Sequence, residues 1–151
     1  MTDFNAILQA VQDHALSSGL FETVNMHEPK NAPGNGLVAA YWIDYIGPAA
    51  SQSGLNKTTG LLVITGRIYS SMYQTPYDDI DPNILSAVTT LMGAYSASFT
   101  LTAKVRNIDL QGISGRKLEA QAGYVSIDNK MMRVMDITIP MIVNDIWNQA
   151  A

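Results

Sequence analysis

Residues 78–99 read DDIDPNILSAVTTLMGAYSASF, and their pattern sets a helix at the centre of the fold. Asp81 is placed to cap free N–H groups at the helix start. Pro82 suits the first helical position, because its φ is already set and its missing N–H is not needed there. Ile84, Leu85, Val88, Leu91, Met92, Tyr95 and Phe99 then recur at three- and four-residue spacing, giving a stripe that faces a core. The opposite face carries Ser86, Ala87, Thr89, Thr90, Gly93, Ala94 and Ala97, all small. No charged residue occurs from Asn83 to Ala103, where a water-facing helix normally shows Lys and Glu.

Upstream of this helix the period changes from helical to alternating. Phe4, Ile7, Leu8, Val11 and Ala15 predict a first amphipathic helix, capped by Thr2 or Asp3 and ended by Gly19. Leu20, Val24 and Met26 alternate with Thr23, Asn25 and His27 as a short strand, stopped by the turn-rich EPKNAPGNG. Two longer strands follow, LVAAYWIDYIG at 37–47 and LLVITGRIYSSMY at 61–73, rich in aromatic and β-branched residues. Between them, GPAASQSGLNKTTG from Gly47 to Gly60 has almost no apolar side chains and reads as a long hairpin loop.

Downstream, Phe99, Leu101, Ala103 and Val105 alternate with Thr100, Thr102, Lys104 and Arg106, the pattern of a half-buried strand. The phase breaks at Asn107, which implies a bulge or turn. Residues 117–143 read as a hairpin turning at Asp128 and Asn129, with Pro140 expected on an edge or at a bulge. The expected class is α+β: a mixed, mainly antiparallel sheet with two principal helices, in one domain over 1–151.

Composition narrows the function. At 151 residues the chain is long enough to bury roughly 68 to 70% of its unfolded surface without staples. There is no cysteine, so disulfides and thiolate metal sites are excluded. Thirteen acidic against nine basic residues give a net charge of −4, which argues against a dedicated nucleic-acid binder. The N-terminal residues lack the pattern of a secretory signal, and no apolar run reaches membrane-spanning length. Charged residues make up 15% of the chain against about 25% in average usage, which points to a surface covered by other protein.

Catalytic signals are weak. His14 and His27 stand alone, without metal-ligand spacing or a partnered nucleophile, and read as structural or solvent residues. Asp78, Asp79 and Asp81 are candidates for a hard cation, but carboxylates just before a helix are better explained by its positive N-terminal end. Gly34, Asn35 and Gly36 precede a strand instead of opening a helix, so they make a poor phosphate cradle. Lys104, Arg106, Arg116, Lys117, Lys130 and Arg133 outline a modest basic patch whose default reading is a solvated sheet face. Met131, Met132, Met135 and Met141 read as core or interface filler. Tyr41, Trp42 and Tyr45 read as sheet packing or the lining of a pocket. The expectation is a protein that is not an enzyme and uses no cofactor and no metal.

The C-terminal run LEAQAGYVSIDNKMMRVMDITIPMIVNDIWNQAA, preceded by VRNIDLQGISGR, resembles the ending of tail terminator proteins of long-tailed, siphovirus-like bacteriophages, particularly those infecting actinobacteria. The segment YIGPAASQSGLNKTTGLLVITGRIY and the helix YDDIDPNILSAVTTLMGAYSASF fit the same pattern, so the resemblance spans most of the chain. It implies a tail tube-like fold and a homohexameric ring at the head-proximal end of the virion tail, made in the host cytoplasm. Such a ring stops tail tube polymerisation, docks the head connector or stopper protein, and lets phage DNA through its lumen, with no membrane involved.

The resemblance supplies no catalytic residues, so contact residues come from the patterning. Ser86, Thr89, Thr90, Gly93 and Ala97 are expected at a subunit interface. Pro48, Ser51, Gln52, Asn56 and Lys57 are expected on a partner-contact loop. The alternatives are another phage neck or tail protein (connector, stopper or tube subunit), or a small α+β ligand-binding protein using the aromatic strand and the three aspartates.

Overall fold

The computed structural model describes residues 3–27, 36–49, 57–72 and 77–148. Helix α1 spans Phe4–Ser18. The Asp3 carboxylate accepts from the Ala6 N–H at 3.1 Å, and Gly19 ends the helix in the left-handed region at φ +70°. Thr2, the other expected cap, lies outside the described residues. Ile7, Val11 and Ala15, four apart, are the buried face of α1, while Phe4 is 37% exposed at its rim.

The sheet is built from β1 (Thr23–Asn25), β2 (Val38–Pro48), β3 (Lys57–Ser71), β4 (Asn107–Ile108), β5 (Glu119–Ile127) and β6 (Lys130–Asn148). Its order is β1-β2-β3-β6-β4, and β5 pairs with β6. Only the β1–β2 ladder is parallel, so the sheet is mixed and mainly antiparallel, and with α1 and the second helix, α2 (Ile80–Ala97), the class is the expected α+β. The first strand is shorter than its alternation suggested, since only Thr23–Asn25 find partners in β2.

The loop from Gly47 to Gly60 is also shorter than expected. Gly47 and Pro48 pair with Leu61 and Gly60, and Lys57 and Thr58 pair with β6, so Pro48 and Lys57 belong to the sheet. Polar residues at the far end of a hairpin can be held by ladder bonds without apolar side chains, and the Ala49 N–H donates to the Thr59 carbonyl at 2.8 Å. Ser51, Gln52 and Asn56 lie outside the described residues.

A 3-10 turn at Tyr77–Asp79 leads into α2, whose first residue is Ile80. Asp81 is therefore not the cap but a first-turn residue. Its two carboxylate oxygens take Nε and Nη2 of Arg133 at 2.9 and 3.4 Å, so the guanidinium outcompetes the backbone for it. Asp79 holds the cap position without a side-chain cap bond, and Pro82 is the third residue of the first turn, where its lack of an N–H still costs nothing.

The strand expected from Phe99 to Arg106 does not form; these residues make turns. Leu101, Thr102 and Ala103 have φ of +50, +58 and +65°, and the N–H groups of Lys104 and Val105 both donate to the Thr100 carbonyl. Three consecutive left-handed residues cost roughly 1–2 kcal/mol each. Burial of Leu101 and Val105, four residues apart on that turn, offsets the cost. Spacing of i and i+4 suits both a strand face and one helical turn, which is why the alternation misled.

The β5–β6 hairpin turns at Asp128 and Asn129, φ +53 and +62°, the pair of positive values that a two-residue hairpin turn favours. Pro140 is inside β6 and not at its edge. The β5 ladder ends at Thr138 and the β4 ladder begins at Met141. The Pro140 carbonyl accepts from the Asp109 N–H, so its nitrogen faces the gap between those two partners and removes no bond to β3.

Both helices pack on one face of the sheet. Ile84, Val88, Leu91 and Tyr95 of α2 and Ile7, Val11 and Ala15 of α1 meet Tyr41, Leu62, Ile64, Ile68, Ile137 and Ile139. On the other face, Val38, Ala40, Tyr69, Met132 and Val134 form a smaller cluster.

Candidate assembly surfaces

The outward face of α2 is as open as its sequence indicated: Ser86, Thr89, Thr90, Gly93 and Ala97 are all exposed. Leu85, expected in the core, is 55% exposed and joins them, while Ala87 turns inward and is buried. The boundary between the two faces lies about one residue away from where the stripe placed it. A Cβ at Gly93 would meet nothing within 4 Å, and the Thr90 hydroxyl is already satisfied by the Ser86 carbonyl at 2.9 Å. The surface presents methyls, hydroxyls and a leucine, and no charge.

A second surface lies between α1 and β2. Phe4, Asn5, Leu8, Ile43, Ile46 and Leu62 line a groove of about 370 Å³. It continues into one of about 440 Å³ past Gln9, Gln12, Met26 and Trp42. Ile43 and Ile46 are 56 and 45% exposed beside a bulge, where the β2–β3 register shifts between Ile43 and Tyr45. A third apolar group, Phe99, Leu110 and Ile113, surrounds the turn after β4. The Asp109 carboxylate shapes that turn by accepting from the N–H groups of Gly112, Ile113 and Ser114 and from the Ser114 hydroxyl, and these bonds hold its pKa below the usual carboxylate range against the opposing effect of burial.

The expected chemical candidates disperse. Asp78 and Asp79 are exposed, Asp81 is paired with Arg133, and among the described residues no group of three acidic or histidine side chains is placed to hold a metal. The basic patch is broken up by partners. Arg116 meets Asp44 at 3.1 Å, Lys117 meets Glu119 at 3.9 Å, and Arg106 donates to Asn144. Gly34 and Asn35 lie outside the described residues, and the Gly36 N–H donates to Glu22 at 3.1 Å. Tyr41 and Trp42 fall on opposite faces of the sheet, so no shared aromatic pocket forms. Of the methionines, Met132 and Met141 are buried, Met135 is partly buried and Met131 is 48% exposed.

Two polar features were not read from the sequence. Arg67 and Asp136 face each other across β3 and β6 in a two-bond ion pair, 2.6 and 3.0 Å, with Trp42 5.1 Å from the guanidinium carbon. The bond to Asp136 raises the Arg67 pKa against the opposing effect of burial. Their signal was present, because each is the only charge in a long apolar strand segment, 61–72 and 134–143. The other feature is a buried chain in which the Tyr41 hydroxyl donates to that of Tyr95, which donates to the Val11 carbonyl, both at 2.9 Å. Burial raises the Tyr41 pKa to about 12 and raises that of Tyr95 as well.

His14 lies against Tyr95, ring centres 5.0 Å apart, and its buried Nε2 has no hydrogen-bond partner among the described residues; His27 is exposed. Burial lowers the His14 pKa from its ordinary 6.5, only partly opposed by Asp13. The unfolded chain therefore binds the proton more readily than the folded one. Stability should fall as pH drops through 6.5 toward the lowered folded value, then level off below it. Urea midpoints between pH 7 and pH 5 should decline in the wild type and decline less in His14→Phe; equal slopes would count against this assignment.

No family model matches the chain, and no curated protein matches it. Among solved structures, it is similar to the sheath/tube terminator of an extracellular contractile injection system, determined in the extended state by electron cryo-microscopy. The identity is 13% and the TM-score 0.37; the match covers 100% of this chain, which spans 60% of that protein's length.

Proposed function

We propose that this chain is a structural subunit of a ring that caps the tail tube of a long-tailed phage, ends its polymerisation and gives the head connector a docking surface, by contact and without chemistry. The observation that carries the reading is the outward face of α2, exposed along its length and free of charge from Asn83 onward. An isolated helix in water gains from charge on that side, so its absence fits a surface that another protein covers. The sequence resemblance to tail terminators gives such a surface its use. A net charge of −4 suits a ring through which DNA slides without sticking. The ring is taken to be a homohexamer, with the tube protein on one side and the connector or stopper on the other.

Imaging of particles tests the reading: the subunit belongs at the head-proximal end of the tail, and tails grown without it should overrun their normal length. Particles lacking the protein at that position would refute the proposal. Gly93→Glu tests the surface. The side chain enters open space, so the monomer's melting curve should be unchanged or slightly raised, while ring formation is lost. Normal rings from this variant would remove α2 from the interface.

A further inference from the structure

Among the described residues the sheet carries two long open edges, of eight and nine residues. Along β2, β1 pairs only with Val38–Ala40, so among the described residues the eight from Tyr41 to Pro48 have no partner on that side. At the opposite edge, β5 pairs with β6 in unbroken register over nine residues, and among the described residues nothing pairs with its other side. The turn fixes which of its groups are open. Ile127 and Lys130 close a two-residue hairpin as a hydrogen-bonded pair, so alternation turns the N–H and C=O groups of Ala120, Ala122, Tyr124 and Ser126 outward. An edge left to face water is usually protected by Lys, Pro or a bulge. β5, with the sequence EAQAGYVSI, has none of these.

We infer that the outer edge of β5 in one copy pairs with the open edge of β2 in the next, so that the sheet runs on from subunit to subunit. This rests on the ring reading and adds a sheet-edge contact to the one proposed on α2. Three antiparallel steps separate β2 from β5, so the two strands run in opposite directions. Copies related by rotation about an axis along the strands bring them together antiparallel, the hydrogen-bonding pattern of the rest of the sheet. The contact joins two different surfaces and is therefore head-to-tail, the kind that closes a ring.

Side chains agree with that pairing. Tyr124 is 61% exposed and lies 4.5 Å from the Arg133 guanidinium, on the side of the sheet where Arg133 meets Asp81 of α2. On the same side of β2, Phe4, Leu8, Ile43 and Ile46 line the uncharged groove of about 370 Å³, which would receive the neighbour's ring. Pairing of β5 with its own copy fits less well. Centred on Gly123, it would set Ile127 against Glu119 and leave the β2 edge unused.

The test uses two full-length variants in sedimentation velocity. Ala122→Pro removes an outward N–H that β6 does not use, and Ile43→Asp places a charge in the exposed groove wall. Each alone should lose at least tenfold in self-association relative to wild type. Mixed one to one they should form a dimer and nothing larger, because the first keeps a working β2 edge and the second a working β5 edge. If circular dichroism shows Ala122→Pro unfolded, Ala122→Lys takes its place. Variants that each assemble like wild type, a mixture that stays monomeric while wild type assembles, or dimers from Ile43→Asp alone would overturn the pairing and leave the ring reading standing. A wild-type chain that stays monomeric up to its solubility limit removes the pairing as well, whereas the ring reading fails on the protein's position in tails.

Discussion

Replacing Tyr95 with alanine should lower stability by about 3–5 kcal/mol, read as a large drop in the urea midpoint at unchanged slope. The ring is wholly buried between the helices and the sheet, and its hydroxyl joins three elements: it accepts from Tyr41 on β2 and donates to the Val11 carbonyl on α1. Deletion therefore opens a cavity and strands the Tyr41 hydroxyl away from water. Tyr95→Phe separates the two effects. It keeps the ring and should cost about 1–3 kcal/mol, the usual range for leaving a buried polar group unpaired. If the phenylalanine variant were as stable as wild type, the hydroxyl chain would contribute nothing, and the core would be held by shape alone.

The second large effect concerns a glycine. Gly66 lies inside β3 under the Tyr41 ring, and a Cβ there would sit 2.6 and 2.9 Å from two ring carbons. The ring has nowhere to go, being wholly buried and tied at its far end to Tyr95. Gly66→Ala should therefore destabilise by about 1–3 kcal/mol, although alanine is otherwise the better residue in a regular element. Gly93→Ala provides the contrast: with nothing within 4 Å and a helical backbone, it should raise stability by up to about 1 kcal/mol. Thermal melts of the two variants should move in opposite directions, and movement together would remove the argument from the Tyr41 contact.

Features set by neighbouring residues were legible in the sequence. Asp3 and Gly19 bound α1, and Asp128 and Asn129 turn the hairpin, because capping and positive φ are properties of a few consecutive residues. The exposed face of α2 was legible for the same reason, since helical period alone places Thr89, Gly93 and Ala97 on one side. What escaped was set at a distance. Arg133 draws Asp81 away from its capping role from 52 residues along the chain, and Arg67 finds Asp136 at a separation of 69. The left-handed turn at Leu101–Ala103 is held by the burial of Leu101 and Val105 against local preference, so local preference could not announce it. The second assembly surface went unread because Phe4 and Leu8 looked like core residues, and only the packing of α1 on the sheet leaves Phe4 open at a groove.

The Arg67–Asp136 pair also limits how the chain can misfold. Both side chains stand on the face of the sheet away from the helices, in direct register across β3 and β6, the longest ladder in the fold. Slipping β3 by one residue would turn Arg67 toward the helices, into the layer that Ile64 and Ile68 fill and away from Asp136. An unpaired guanidinium in that layer carries a desolvation cost of several kcal/mol. Two long strands rich in interchangeable β-branched residues would otherwise offer several nearly equivalent alignments. One charge in each apolar segment, 61–72 and 134–143, works as a proofreading mark against a one-residue slip, which would bury the guanidinium away from its carboxylate.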